Sequence, residues 1–558
     1  VKAGREMSFT KAILPPRAFG ADLIAGGLLA MREQHGFSRR LRGLAAPGLL
    51  GGFVAVSLAL AAGPGYADDK CPVRGGEFRL PFATDPGDLT PSKKAQFPPS
   101  QIYDQIYDTL LKLDETGLKP GLATKYEVAP DHLSVTFTLR QDVMWHHGRA
   151  FEAKDVVFTL ERILDPAFAS PWSEQLKSIS KVEALDKYTV KVALKEPFAP
   201  ILGILATPWY TAIVPYDFAA THNLNQQASG TGPFMLVEYV PNDHVTLKAN
   251  PHYWEAGYPC LDGIRYGIIP DQQAQISAFR QGDADLVALY DPKYIPVLKG
   301  VAGSSLIKPG GAVNESGLAL NTADGPTKDV RVRRALSLGI DRKGMIDTVL
   351  FGYGEVGDKI PCGEVPYGWC EGKDPPLPYS QYDPAQAKRL LAEAGYPSGL
   401  DLTVQVSLPL DVQTAEVLAE QWKAIGVNLK IEQIADFNQQ LDNYINVRHQ
   451  LSIVSLVWQP DPHSDVYQIY YSTSKINLGK FVDPKLDALL DAGKSELDVA
   501  RRIKIYKDIQ VLVADQAYML FPFTKPIYWQ YVKDYVKGYT ATPNGSFAPL
   551  RYVWMEKH

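Results

Sequence analysis

Cysteine is scarce in this chain: four in 558 residues, at Cys71, Cys260, Cys362 and Cys370. The nearest two, Cys362 and Cys370, bracket a Pro/Gly loop too long for a zinc knuckle, and no second close pair accompanies them. Several other features are missing. No Gly-x-Ser-x-Gly, His-Glu-x-x-His or complete phosphate-binding Gly-x-x-x-x-Gly-Lys-Ser/Thr occurs, so an enzyme reading has no positive support. No basic run points to nucleic acid, and no acidic tail is present. Gly352-Tyr353-Gly354-Glu355-Val356-Gly357 has dinucleotide glycine spacing, but it follows a helical pattern instead of a strand and opens no new helix. It is a helix-stop loop. His146-His147-Gly148 follows a strand pattern and is expected as a solvated turn, not a metal site.

What remains is ordinary globular composition: 46% hydrophobic, 21% charged, with length for more than one domain. Twenty-nine tyrosines and nine tryptophans supply aromatic faces with polar tips, which suit a binding cleft or a large core.

The N-terminal stretch has the order of a secretory signal. Arg39, Arg40 and Arg42 precede the apolar run Leu44–Ala62, and Gly65-Tyr66-Ala67 predicts a cut after Ala67. Met31 is a plausible true start, with residues 1–30 outside the leader proper. Ser38-Arg39-Arg40 resembles part of a twin-arginine signal, so the export route stays open. Without residues 1–67 the formal charge moves from -5 to -10, which opposes nucleic-acid or anionic-lipid binding. The even cysteine count then suggests disulfides. Three pairings are possible; Cys71–Cys260 with Cys362–Cys370 is preferred by proximity.

Periodicity predicts α/β architecture. Val135–Leu139, Val182–Leu194 (a hairpin through Asp186-Lys187), Leu402–Val406 and Leu429–Ile431 alternate as strands. Gln101–Leu111, Ala153–Leu164, Val330–Ile340, Val412–Ile425 and Arg501–Ala514 have helical spacing. Asp383-Pro384 and Asp483-Pro484 are capped helix starts with proline in the first turn. Leu451–Val457 is an aliphatic, β-branched run that suits a buried strand. Trp458 follows it, and Pro460 and Pro462 stop it. Ligands tend to bind at such strand ends. Trp458 offers a flat apolar face and Asp461 a charge, so together they could hold an apolar body bearing an amino group. His463, between Asp461 and Asp465, is a conceivable metal ligand.

Several segments, taken together, are similar to the family 5 extracellular solute-binding proteins of ABC importers, the oligopeptide-, dipeptide- and nickel-binding type. Phe137-Thr138-Leu139-Arg140 with Trp145-His146-His147-Gly148 and Ala153–Arg162 resembles one family block. Gly230-Thr231-Gly232-Pro233-Phe234 with Asn250-Pro251-His252-Tyr253-Trp254 resembles a second. Asp329–Leu336 through Ile340-Asp341-Arg342, and Tyr382-Asp383-Pro384 to Ala394-Gly395-Tyr396-Pro397, resemble two more.

The resemblance implies two α/β lobes with mixed sheets, hinged around a ligand cleft, and an extra inserted subdomain. Lobe I would comprise 68–317 plus 525–558, with the insertion near 112–225; lobe II would comprise 318–524. Trp458 would line the cleft and Asp461 would pair with a peptide's α-amino group. Asp461-Pro462-His463 also resembles the loop of nickel-type members. Tyr103, Tyr367 and Trp369 are further cleft candidates. The expectation is a monomeric periplasmic capture protein, not an enzyme and without a cofactor. It would take a small peptide or peptide-like solute to membrane permease subunits. A chelated metal such as nickel is the alternative ligand. A secreted hydrolase would need a nucleophile–base pair.

Overall fold

Apolar residues at every second position make the first strand, Glu77–Phe82, bury Phe78, Leu80 and Phe82 on one face. The computed structural model containing it describes residues 70–556 except 95–96, 115–116, 308–313, 358–359, 361–376, 458–460, 475, 478 and 543–544, with backbone alone for 97–99, 437–438, 457 and 464–465. The expected leader, Trp458, Tyr367, Trp369, Cys362 and Cys370 lie outside the described residues.

Glu77–Phe82 pairs in parallel with Gly263–Ile268, and His244–Ala249 and Phe234–Val240 complete a four-stranded sheet. The helix Phe97–Ile106 packs Ile102, Tyr103 and Ile106 into the core this sheet shares with Phe78 and Tyr266. The helical pattern predicted to reach Leu111 stops at Ile106. There the Gly230-Thr231-Gly232 turn docks, and Gly232 N donates to Ile106 O at 2.9 Å. A Cβ on Gly230 would stand 1.8 Å from that oxygen, so this approach requires glycine. Beyond it the chain turns into a hairpin, Leu111–Asp114 with Gly117–Pro120.

A second four-stranded sheet, inserted after this hairpin, has the order Ala123–Val128, Ser134–Leu139, Thr189–Leu194, Ile179–Asp186. The predicted hairpin through Asp186-Lys187 joins its last two strands. Helix Ala153–Leu164 covers it with Val156, Leu160 and Ile163. A small sheet of Leu286–Leu289, Trp529–Lys533 and Ser304–Ile307 brings the C-terminal part of the chain back beside the first sheet.

The remaining sheet has six strands, ordered Glu355–Val356, Met519–Lys525, Asn314–Leu320, Leu451–Val457, Leu400–Val406 and Val427–Gln433. Alternation sends Leu318, Leu320, Leu451 and Ile453 to one face, where helices Val330–Leu338 and Pro409–Lys423 pack. Ala319, Val454, Met519 and Phe521 go to the other, beneath helices Pro484–Ser495 and Val499–Gln516. The result is the two-lobed, mixed α/β fold expected, with a cleft between the lobes and an inserted subdomain. The chain passes between the three-stranded and six-stranded sheets twice, from Ile307 to Asn314 and from Lys525 to Trp529.

One disulfide, Cys71–Cys260, ties the start of the described chain across 189 positions to the Gly263–Ile268 strand region. It is one half of the preferred pairing. Closing so long a loop chiefly restricts the unfolded chain. Replacing both cysteines by serine is expected to lower unfolding free energy by about 2–5 kcal/mol in urea titrations, with the same effect on adding reductant to the wild type.

Candidate functional site

Strands Leu400–Val406, Val427–Gln433 and Leu451–Val457 run parallel. Asn314–Leu320 runs against Leu451–Val457 and against Met519–Lys525, so Met519–Lys525 shares the direction of the other three. Four carboxyl ends therefore meet at one edge, together with the amino end of Asn314–Leu320. Asn314 lies opposite both Val457 and Lys525. Helices Pro409–Lys423, Phe437–Ile445 and Pro462–Tyr470 all begin here. The edge also lies where Lys525 leads across to Trp529, so it faces the junction between lobes. On the other side of that junction Tyr528 packs edge-on against Tyr290 at 4.9 Å and stacks on Phe547 at 6.5 Å.

Buried polar groups collect along this edge. Asn314 Oδ1 and Ser407 Oγ have no hydrogen-bond partner among the described residues. Asp411, in the first turn of its helix, is buried and accepts no hydrogen bond from the described residues. Burial, opposed only in part by Lys525, pushes its carboxyl up to about 7. Burial likewise pushes Lys525 down to about 8, and Asp411 draws it back in part. Tyr444, in the helix Phe437–Ile445, lies close enough to feel the Asp411 charge.

Asp461 has a different role from the one expected of it. Its side chain caps the helix Pro462–Tyr470, accepting from His463 N at 2.7 Å. Both its oxygens also take Arg502, from helix Val499–Gln516, as a bidentate ion pair. The carboxylate is fully buried and its cation comes from the chain itself, so no ligand ammonium is needed. A local signal for this was present in the sequence. Asp461-Pro462 repeats the Asp-Pro helix starts at Asp383-Pro384 and Asp483-Pro484, which cap in the same way. Asp411 and Lys525 escaped the sequence reading because nothing local distinguishes a cleft charge from a solvated one.

His463 is buried against Phe198, edge-on at 5.9 Å, and Tyr467 at 4.6 Å. Burial, with Arg502 and Lys494 nearby, holds its pKa well below the usual range, so the ring is neutral. Among the described residues its Nδ1 has no hydrogen-bond partner, and no three His, Cys, Asp or Glu residues group to hold a metal. Tyr103, expected in the cleft, is 2% exposed and belongs to the core beneath its helix. Gln101 and Gln105 use another face of that helix, donating to the carbonyls of Gly545 and Phe547. The segment that follows the second four-stranded sheet also touches helix Pro484–Ser495. Ala199 N donates to Lys494 O at 3.0 Å, and Lys494 pairs with Glu196 at 2.8 Å.

Comparison with known proteins gives one consistent picture. Residues 117–478 match the model for bacterial extracellular solute-binding proteins, family 5. The periplasmic murein peptide-binding protein MppA of Escherichia coli K12 is 27% identical, with 85% of this chain and 92% of that one covered. The nickel-binding periplasmic protein of the same organism is 28% identical, covering 78% of this chain and 87% of that one. The solved AgaA from A. tumefaciens R10, in complex with agropinic acid, superposes with a TM-score of 0.71 at 27% identity, over 87% of this chain and 99% of that one.

Two outcomes follow from the charges at this edge. Asp461→Ala strands Arg502 in the interior and is expected to cost about 3–5 kcal/mol in denaturant unfolding. A variant as stable as wild type that lost only ligand affinity would return Asp461 to the cleft. For Asp411, the folded protein keeps the carboxyl proton up to about pH 7, whereas the unfolded chain releases it near pH 4. The folded state therefore holds the extra proton in that window, and Asp411 lowers stability as pH rises through it. Asp411→Asn is expected to match wild type near pH 4 and to exceed it by roughly 2–4 kcal/mol at about pH 8, in denaturation of ligand-free protein.

Proposed function

We propose, from the premise that this chain belongs to the family 5 bacterial extracellular solute-binding proteins, that it captures a small peptide or peptide-like solute in the periplasm and delivers it to the permease of an ABC importer. It is a binding protein and not an enzyme. The observation that carries the reading is the strand-end edge between the lobes. There the buried oxygens of Asn314 and Ser407 have no partner among the described residues. Buried polar atoms cost free energy until something bonds to them, and a solute with amide groups supplies what they lack. The murein peptide-binding relative supports a peptide-like solute.

In this reading lobe I comprises residues 68–317 plus 525–558, with the subdomain inserted near 112–225, and lobe II comprises 318–524. The first crossing is better taken ahead of Asn314, because Asn314–Leu320 bonds entirely within the six-stranded sheet. The protein acts as a monomer, exported by a leader cleaved after Ala67, and meets the permease in its closed form. The contacts of Glu196 and Ala199 with Lys494 suit closure by lobe rotation. A chelated metal is the second reading; the nickel-binding relative and the unpartnered Nδ1 of His463 favour it.

Native mass spectrometry of protein purified from its own periplasm, with release of the bound molecule, tests both. A peptide of a few residues, or a peptide-like acid, is the expected outcome. A nickel complex would replace the first reading with the second, and a carbohydrate would overturn both.

A further inference from the structure

The loop Glu196-Pro197-Phe198-Ala199-Pro200 is rooted in one core and touches another. Leu194 before it and Ile201 and Leu202 after it are buried in the core of the second four-stranded sheet, and Phe198 packs partly against that core. At its tip the Phe198 ring meets His463 edge-on at 5.9 Å. Ala199 N donates to Lys494 O at 3.0 Å, and Lys494 Nζ donates to Glu196 Oε1 at 2.8 Å. His463 and Lys494 stand on helices Pro462–Tyr470 and Pro484–Ser495. Val466, Tyr470, Leu486 and Leu490 of those helices belong to the core beneath the six-stranded sheet. The two sheets share no strand, so these three contacts join bodies that pack separately.

Both partners are shaped before they meet. Pro197 and Pro200 restrict the loop backbone, which lowers the entropy lost on docking. On the receiving side, Lys494 lies in the last turn of its helix, where carbonyls lack intrahelical donors. The Ala199 amide supplies one. Asp461 accepts from His463 N, and its partner Arg502 donates to Gly493 O at 2.7 Å, next to Lys494. The buried Asp461–Arg502 pair therefore sets His463 and Lys494 in fixed relation, ready for the loop. The side chain of Glu196 is 55% exposed, and an ion pair so open to water adds little hold. Phe198 carries more, as an aromatic contact on a buried ring.

We propose that Glu196–Ala199 is a latch by which the inserted subdomain clasps the six-stranded-sheet body as the cleft closes. Phe198 on His463 supplies its hold, and the Glu196–Lys494 pair sets its register. The latch rests on the reading above, in which two lobes close over a solute, and adds a closing contact made by the protein alone. Its few small contacts can part again, as release of the solute requires.

The ion pair serves as its own probe. A water-soluble carbodiimide condenses a carboxylate with an amine that touches it. Wild type stripped of solute is expected to give the Glu196–Lys494 amide, read by mass spectrometry as one joined pair of protease-digested peptides. Phe198→Ala should cut its yield about threefold or more, and Lys494→Met should abolish it. Glu196→Lys, which sets a like charge against Lys494, should enlarge the radius of gyration in small-angle X-ray scattering. Adding Lys494→Glu to that variant should restore the wild-type value. Thermal melts confirm that each variant is folded. The latch is overturned if wild type gives no joined peptide. It is also overturned if Phe198→Ala, folded, keeps both the wild-type yield and the wild-type radius, since the loop is then a fixed part of the fold. Either result leaves solute capture standing, because that reading falls only by the identity of the molecule released from the periplasmic protein.

Discussion

A carboxylate taken out of water costs several kcal/mol unless a cation and hydrogen bonds meet it, and this chain is organised around meeting that demand. Asp108 follows the first helix and Arg551 lies near the C-terminus; their pairing helps seat the C-terminal segment on lobe I. Asp285 and Arg79 join the first sheet to the strand Leu286–Leu289 in the same way. Asp155 both caps its helix and holds Arg149. Asp461 and Arg502 lock two helices of lobe II on one face of the six-stranded sheet. All but the local Asp155–Arg149 pair link elements distant in sequence, so those pairs fix tertiary arrangement as well as satisfying a charge.

Against that background the cleft is a local deficit of partners. The strand-end edge of the six-stranded sheet carries a buried carboxyl, Asp411, and two neutral oxygens, of Asn314 and Ser407, without hydrogen-bond partners among the described residues. Lobe closure over an aqueous solute would strip water from these groups. The deficit is relieved when a bound solute supplies the missing hydrogen bonds. Relatives bind murein peptide, nickel and agropinic acid on comparable scaffolds, which fits a fold held by internal pairs and a specificity set by the few groups left over.

Much of the fold was legible in the residues. Period-two alternation found Ser134–Leu139 and the hairpin Ile179–Asp186 with Thr189–Leu194, because one face of each meets an apolar core. The aliphatic run Leu451–Val457 is a strand as its composition demanded. Aspartate before proline marked the starts of two helices. The first helix was read as extending too far, since Leu110 continues its apolar spacing. It ends at Ile106 because a glycine turn from residues 230–232 occupies that place. That neighbour is far away in sequence and invisible to periodicity.

The candidate site divides along the same line. By itself the sequence determined the α/β alternation and the capped helix starts at Asp383 and Asp483, because alternation and capping are interactions among near neighbours, while the two lobes came only from the family resemblance. The partner of each charge was decided only by the tertiary structure. Arg502 removes Asp461 from the cleft across 41 positions. Packing buries Tyr103 in the core. Folding buries Asp411 and Lys525 at the same strand-end edge. Whether an aspartate is scaffold or site depends on which cation the fold places beside it, and that is a property of distance in space rather than spacing in the chain.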